Sequence, residues 1–450
     1  MRHLHNKALV VLAVFGCTPD PEPAIGESES ETTQSETESE TETETETETE
    51  TGDGDGDGDP CGNGVLDRGE ACDDANTNED DGCTSECTLG GCAHLWVVEF
   101  EQGADHGAVA DLQIDADANV YAGGVTLVQP SRWLAKYDST GEEKWSRAYP
   151  AEGLNTLVQV AVSPDNETLY AAGVIDEEAI GLGAWFGKFT ANQGGKEWDA
   201  IVEDMMVDGD DFGTGIAVDS LGAPLFAATV AVSEGDTDVG FMKVQANNVP
   251  AFSETWSGLG NGVSSLDRAY QIAAGGDGTI FVGAGEFIDD GVEVATVIAV
   301  DADGTVLWTA QPAGVGTGVQ VVQDLAADSS GDAYVLTFAE QAPDQRDLYK
   351  LAGSTGAVLW SKTAAELPAR MVGLHIDGED VLVTGGASPV GPWVGRWSSD
   401  GELLCASTAE VPRDYVVEAG GGGIGGGFAL AGSTERFGVS WIAYFQGTAP

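Results

Sequence analysis

The stretch VADLQIDADANVYAGG (residues 109–124) and the stretch RWLAKYDSTGEEKWSRAY (132–149) together form one repeat unit. The chain contains seven such units in a row. In each unit short apolar strands alternate with turns rich in Asp, Gly and Asn, and in the first five units a tryptophan follows the last turn. The tryptophans recur at intervals of 45 to 60 residues, which is the period of propeller blades. They are Trp145, Trp198, Trp256, Trp308 and Trp360, and Cys405 holds the same place in the sixth unit.

The two ends of the array do not match. The seventh unit ends without a fourth strand, whereas an orphan fourth strand, 95–100 around Trp96, precedes the first unit. If the orphan completes the last blade, the ring closes and only short, protected strand edges remain. The sequence therefore predicts an all-β fold: a seven-bladed β-propeller over 93–450, closed by its N-terminal strand, with about 51 residues for the four strands of each blade.

Two repeat motifs resemble known propeller groups. The Asp-x-x-Gly-x-x-Tyr hairpin followed by Ala-Gly resembles the propeller repeat of bacterial surface and secreted multidomain proteins. The Asp-x-x-Gly-x-x-x-Trp turn resembles the tryptophan-docking turn of quinoprotein-type repeats. The resemblance covers nearly all of 93–450 and implies a fold, because propellers carry many unrelated activities.

The N-terminus has the features of an export signal. Arg2 and Lys7 precede a nine-residue apolar run from Ala8 to Gly16. This run is too short to span a bilayer and is typical of a secretory signal. Val14-Phe15-Gly16-Cys17 resembles the lipobox of bacterial lipoproteins, which implies a signal peptide at 1–16, a lipidated Cys17 and, with Thr18 next to it, an outer-membrane location facing the periplasm or the cell surface. An ordinary cleaved signal with an incidental cysteine is the alternative.

An acidic linker follows. Residues 18–60 contain 17 Asp or Glu and no Lys or Arg, in TETETETE and GDGDGDGD runs. Such a segment cannot bury apolar surface, and its like charges repel, so we expect 17–60 to be a disordered, extended tether behind the lipidated cysteine.

A small cysteine-rich module is predicted over 61–92. In an exported chain this density of cysteines indicates disulfides rather than zinc. Its motifs, from Cys-Gly-Asn-Gly (61–64) to Asp81-Gly82-Cys83, resemble the acidic cysteine-rich repeat of bacterial surface proteins. The pairing stays open, and a bond between Cys92 and Cys405 is one possibility. The candidates are Cys61, Cys72, Cys83, Cys87, Cys92 and Cys405.

The same module holds the one candidate metal site. Its oxygen side chains are of the kind that calcium binds, although their spacing is not that of an EF-hand loop. An acidic solvated loop is the alternative, and we expect no other cofactor. The candidate ligands are Asp73, Asp74, Asn76, Asp80 and Asp81.

Basic side chains recur at one place in the third strand. Equivalent positions in a ring form a circle, so these bases could bind an anionic ligand together or form one ion pair in each blade. Segment 93–450 has 51 acids against 15 bases, which favours ion pairs and argues against a nucleic-acid partner. The bases are Lys136, Lys188, Lys243, Lys350 and Arg396.

No catalytic motif stands out: a nucleophile elbow, a phosphate loop and a zinc signature are all missing from the sequence. The first hypothesis is a non-catalytic, monomeric lipoprotein of the cell envelope, held at the membrane by its lipid alone, whose propeller is a scaffold for a protein or a glycan. The alternatives are a polysaccharide-acting hydrolase or lyase with carboxylates at the propeller mouth and, by analogy, an outer-membrane assembly factor.

Overall fold

The protein, seen in a computed structural model, is an all-β ring of seven sheets with four antiparallel strands each. The structure describes residues 92–446, except for 104–105, 127–130, 151–154, 178–180, 202–210, 234, 246–249, 259–265, 289–291, 314–318, 364–366, 368–369, 387–390, 409–414, 424–426 and 435–438. The predicted signal peptide, the linker and the cysteine-rich module before Cys92 lie outside these residues. The predicted seven-bladed β-propeller is confirmed.

The strands are grouped by their place in the blade. The innermost strands are β2 (Ala108–Ile114), β6 (Asn155–Val162), β10 (Phe212–Val218), β14 (Arg268–Ala274), β18 (Gln320–Ala327), β22 (Met371–Asp377) and β26 (Tyr415–Gly422). The second strands are β3 (Val120–Val125), β7 (Thr168–Glu177), β11 (Pro224–Ser233), β15 (Ile280–Ile288), β19 (Ala333–Ala339), β23 (Asp380–Gly385) and β27 (Phe428–Thr434). The third strands are β4 (Ser131–Tyr137), β8 (Gly181–Thr190), β12 (Asp236–Val244), β16 (Val292–Val300), β20 (Ala342–Leu351), β24 (Trp393–Trp397) and β28 (Val439–Gln446). The outer strands are β5 (Glu143–Pro150), β9 (Lys196–Ile201), β13 (Pro250–Trp256), β17 (Val306–Ala310), β21 (Val358–Lys362), β25 (Leu403–Thr408) and, for the last blade, β1 (Ala93–Glu101).

The N-terminal strand closes the ring. The last sheet has the order β1-β28-β27-β26, and β1 runs antiparallel to β28 with Glu99 opposite Trp441. Neighbouring innermost strands pack on one another around the whole ring, including β26 on β2. The orphan strand of the sequence therefore completes blade 7, the sheet that begins with β26. Blades 1 to 6 begin with β2, β6, β10, β14, β18 and β22.

Tryptophans in the outer strands of blades 1, 4, 5 and 7 donate hydrogen bonds to the next blade. The indole Nε1 of Trp96 donates to Ser139 O of blade 1 (3.0 Å), and Trp360 Nε1 donates to Ser399 O of blade 6 (2.8 Å). Gly141 fits this docking because its φ is +84° and a Cβ there would lie 3.0 Å from the Trp96 ring. In blade 6 Cys405 replaces the tryptophan and forms a disulfide with Cys92, at the entry to blade 7.

The core lies between the blades. The second and third strands are buried on both faces, as the runs in β3 and β4 show, because each sheet is covered by a blade on either side. Trp133, Trp185 and Trp441 are among the largest fully buried side chains. Within the described residues no helix is long and apolar enough to cross a membrane.

Candidate functional site

The recurrent third-strand bases all contact carboxylates of their own blade. Both partners are at least partly buried in most of these pairs, which limits screening by solvent. The pairs are Lys136–Asp115 (3.7 Å), Lys188–Glu197 (2.9 Å), Lys243–Asp219 (2.8 Å), Lys350–Asp328 (3.4 Å) and Arg396–Asp380 (2.7 Å). This arrangement favours one ion pair per blade over a common ring of free bases for an anion.

A second set of polar side chains joins the innermost strands around the axis. These strands have a free edge, because no further strand pairs with them there. Side chains of the preceding blade accept hydrogen bonds from amides of the next: Val160 N donates to Asp111 (2.8 Å), and Leu374 N donates to Asp324 (2.7 Å). Gln159 makes the equivalent bond in blade 2, accepting from Ile216 N at 2.7 Å. We call Asp111, Gln159 and Asp324 the axial bridges.

The two acidic axial bridges are hard to ionise. Burial raises the pKa of Asp324 to about 7, although its hydrogen bonds from Leu325 N and Leu374 N oppose the shift. Burial also raises the pKa of Asp111, and the charge of Asp324 raises it further. Asp111 and Asp324 are each partly exposed. Carboxyls with a raised pKa are candidates for acid–base chemistry or for a pH response.

The raised pKa predicts a pH dependence of stability. An unfolded Asp has a pKa near 4, so between about pH 4 and 7 the folded chain holds a proton that the unfolded chain has lost. Stability should therefore fall as pH rises through this window, by at most about 1.4 kcal/mol per pH unit for Asp324, and should level off above it. Asp324→Asn should remove this part of the slope in urea unfolding measured from pH 4 to 8.

Asp328→Asn is the matched control, because the pKa of Asp328 is lowered in the folded protein. Burial by itself would raise this pKa, but the hydrogen bonds to the carboxylate and the charge of Lys350 outweigh the effect of burial. This variant should lose stability yet keep the slope between pH 4 and 7. A slope that Asp324→Asn leaves unchanged would show that Asp324 ionises in the folded protein as it does in the unfolded chain.

Blade 4 carries a further buried acid near the start of its third strand. Glu293 accepts a hydrogen bond from the Tyr270 hydroxyl and lies 3.5 Å from Arg268 Nη1. Burial raises the pKa of Glu293, and the Tyr270 hydrogen bond and the Arg268 charge partly offset that rise.

Among the described residues no group of three or more His, Cys, Asp or Glu is placed to hold a metal ion. The calcium candidates Asp73, Asp74, Asn76, Asp80 and Asp81 lie outside the described residues, as do Cys17, Cys61, Cys72, Cys83 and Cys87.

Apolar side chains are exposed where the outer strands of blades 4 to 7 begin. Leu307 and Leu359 each expose 53% of their surface. The pairs of blades 4 and 5 are linked through a turn: Trp308 Nε1, next to Leu307, donates to Gly353 O (2.7 Å) in the turn that leads into Val358. We call the set the apolar rim: Val306, Leu307, Val358, Leu359, Leu403, Leu404 and Leu95. Blades 1 to 3 carry polar residues at these places: Glu143, Lys144, Lys196, Glu197, Glu254 and Thr255.

Sequence reasoning did not single out the apolar rim or the axial bridges. The rim had a visible signal, since Val-Leu or Leu-Leu stands before the outer-strand Trp or Cys in blades 4 to 6 only. Its exposure could not be inferred, because apolar residues in a strand normally indicate a buried face. The axial bridges stand at one place of the repeat, since Asp111, Gln159 and Asp324 each precede the first turn of their blade by four residues. Their role could not be inferred, because their partners are amides of the next blade.

The comparisons with known proteins give the fold alone. No protein-family model matches the sequence, and no curated protein matches it. The chain is similar in structure to the β-propeller domain of the Trilobed protease from Pyrococcus furiosus (9% identity, 75% of this chain and 95% of that chain, TM-score 0.47). It is also similar to the quinohemoprotein alcohol dehydrogenase from Comamonas testosteroni (11%, 80% and 77%, TM-score 0.44) and to the polysaccharide lyase Uly1 (12%, 76% and 91%, TM-score 0.46). At these identities the likeness says nothing about function.

Proposed function

We propose that this chain is an envelope lipoprotein whose propeller is a docking platform for a protein partner, and that the partner binds on the apolar rim. The observation that carries the proposal is the exposure of aliphatic side chains where the outer strands of blades 4 to 7 begin, at places where blades 1 and 2 carry polar residues. Leu221 and Leu266 are also exposed, but they lie outside these outer strands. Exposed apolar side chains that cluster on one part of a domain are typical of an interaction site.

Charge and chemistry favour a protein over other occupants. Segment 93–450 has a net charge of −36, counting 15 bases and 51 acids, so an anionic lipid surface or a second copy of the chain would be repelled. The rim side chains have no hydrogen-bonding groups for the hydroxyls of a glycan. A complementary partner would present apolar side chains surrounded by neutral or basic ones.

A polysaccharide-acting hydrolase or lyase is the second candidate, because Asp324 with a pKa near 7 has the property of a general acid. Against it, Asp324 and Asp111 lie in the middle of β18 and β2, not at a mouth, and both oxygens of Asp324 accept backbone hydrogen bonds. Product formation from acidic polysaccharides that disappears in Asp324→Asn would favour the enzyme.

The binding experiment uses the whole chain with Leu307→Glu and Leu359→Glu combined. Cross-linking in envelope extract followed by mass spectrometry should identify a partner that the double variant loses. Thr255→Glu is the matched control, because Thr255 is the exposed residue at the same place in blade 3 and should leave capture unchanged. Loss of capture in the control as well, or capture that the rim variant keeps, would contradict the proposal.

Two further measurements test the other possible occupants of the apolar rim, a second copy of the chain and an anionic lipid surface. Sedimentation of the wild type should show a monomer; a dimer that the rim variant abolishes would assign the rim to a second copy. Binding of the unlipidated chain to anionic vesicles would assign the apolar rim to lipid.

The lipid anchor is tested separately. Cys17→Ser should move the protein from the membrane fraction to the soluble fraction, and unchanged retention would contradict lipidation at Cys17.

A further inference from the structure

The outer strands of blades 4 to 6 are sheet edges that lack the usual protection against strand pairing. Each stands at the end of its four-stranded sheet, and no fifth strand pairs with it in the described part of the chain. An edge strand presents unpaired backbone N–H and C=O groups, and proteins normally place charged residues or proline on it. Here β17 reads VLWTA, β21 reads VLWSK and β25 reads LLCAST. Lys362 is the single charged residue in these three strands.

The outer strands of blades 1 to 3 keep that protection. Each of them exposes charged residues, proline or both: Glu143, Lys144, Arg147 and Pro150 in β5, Lys196, Glu197 and Asp199 in β9, and Pro250 and Glu254 in β13. A β-bulge near the start of the outer strand is common to blades 1 to 6, so it does not account for the contrast. The unprotected edges therefore lie on three consecutive blades, which also carry most of the apolar rim.

β17 has one row of side chains in the core and one row in solvent. Trp308 and Ala310 pack against the core between blades 4 and 5, and Trp308 Nε1 donates to Gly353 O at 2.7 Å. Leu307 and Thr309, the alternate residues, are exposed. Because successive side chains of a strand point to opposite sides, the core row fixes β17 in place while the other row stays open. A strand laid along this edge would bring its own side chains beside Leu307 and Thr309.

Charge next to the edge selects the segment that fits. The turn before β17 contains Asp301 and Asp303, and Asp303 is exposed. In an antiparallel pair the C-terminal end of the added strand lies beside the start of β17. A segment with aliphatic side chains at alternate positions and basic residues at its C-terminal end therefore complements both the apolar row and the acidic turn.

We propose that the partner binds by β-strand addition, in which an extended protein segment pairs antiparallel with the edge of β17 and becomes the fifth strand of blade 4. The inference rests on the proposed function and specifies how its partner is held, through backbone hydrogen bonds with alternate side chains giving specificity. β17 fits better than its neighbours. β21 carries Lys362 and has no acid in the turn before it (352–357), and β25 has the N-terminal chain beside it, because Cys405 is bonded to Cys92.

Fluorescence anisotropy of the whole chain with labelled peptides tests the pairing. The probe is Thr-Val-Thr-Val-Thr-Val-Arg-Arg, and two matched probes carry backbone N-methyl groups, one on its valines and the other on its threonines. Only alternate N–H groups of a strand face its neighbour. One methylated probe should therefore bind about tenfold more weakly or worse, and the other should bind as the unmethylated probe does. Equal affinity of all three probes, or equal weakening of both methylated ones, would overturn strand addition.

Variants of the protein locate the edge. Leu307→Lys combined with Thr309→Lys gives β17 the kind of charge that β5 and β9 carry, and it should weaken the probe about tenfold or more. Ala200→Lys is the matched control, because it adds the same charge at an exposed position of β9, and it should leave the affinity unchanged. Weakening in the control as large as in the β17 variant would overturn the assignment to β17.

The outcomes separate this inference from the proposed function. Capture from envelope extract that Leu307→Glu with Leu359→Glu abolishes, together with probes that methylation does not affect, would overturn strand addition and leave the docking platform standing. Methylation-sensitive probe binding at β17, together with capture that the rim variant keeps, would support the strand acceptor and contradict the platform. A wild type that binds none of the probes would overturn strand addition.

Discussion

Replacing Ala93–Glu101 (β1) with a Gly/Ser linker of nine residues is expected to abolish cooperative unfolding, or to lower the Tm by more than 10 °C. Trp96, Val98 and Phe100 pack against the core between blades 7 and 1. Each such side chain contributes roughly 1.5–3 kcal/mol when fully buried. The change also leaves the edge of β28 unpaired. Because the net stability of a protein is only about 5–15 kcal/mol, this loss is comparable to the whole.

Circular dichroism and calorimetry measure this effect, and point variants grade it. Phe100→Ala should destabilise the ring, since Phe100 lies 5.7 Å from the Trp133 ring. Glu99→Ala is the control on the same strand, because Glu99 is exposed, and it should shift stability by less than about 0.5 kcal/mol. Addition of a synthetic 93–101 peptide should partly restore the linker variant. An unaltered Tm in that variant would mean that the ring does not depend on β1.

Cys405→Ser should cause the second large loss of stability. The Cys92–Cys405 disulfide spans a sequence separation of 313 residues and joins the outer strands of blades 6 and 7. A cross-link over so long a loop restricts the unfolded chain strongly, and the chain-entropy estimate is roughly 6 kcal/mol. The urea midpoint should fall accordingly, since both ends of the bond are buried in the folded ring.

The control for the disulfide is a double-mutant cycle. Cys92→Ser, Cys405→Ser and the double variant should lose nearly the same free energy, because one bond is broken in each. Wild type with a reductant should match them. Additive losses in the double variant would show that the two cysteines contribute by packing and not through a shared bond.

The architecture followed from the sequence because a propeller is a repeat. Each unit carries its own turns, as in DADGTVLW before and through Trp308, and local turn chemistry needs no distant partner. The mismatch between the orphan Trp96 strand and the incomplete seventh unit was enough to predict ring closure. The structure confirms that closure in the pairing of β1 with β28.

The candidate sites were less predictable, since they depend on which residues of different blades meet. The five third-strand bases were visible as a pattern, but their partners lie elsewhere in the blade; that of Lys243 is Asp219, in the turn after β10. Arg132 and Arg346 each stand four residues before a third-strand base, yet Arg346 Nε donates to Met371 O of the next blade, whereas Arg132 Nε has no hydrogen-bond partner in the part of the chain that the structure describes. Equivalence in sequence therefore did not determine the hydrogen bonding.

The sequence by itself determined the number of blades, the strand that closes the ring and the acidic charge, because these are set by repetition, by what each end lacks and by composition. Only the tertiary structure decided that Cys92 bonds to Cys405, that Asp111 and Asp324 bridge neighbouring blades and that Leu307 and Leu359 are exposed. The physical reason is that each of these features depends on which residues of neighbouring blades a side chain meets. The sequence of one repeat unit does not specify which residues those are.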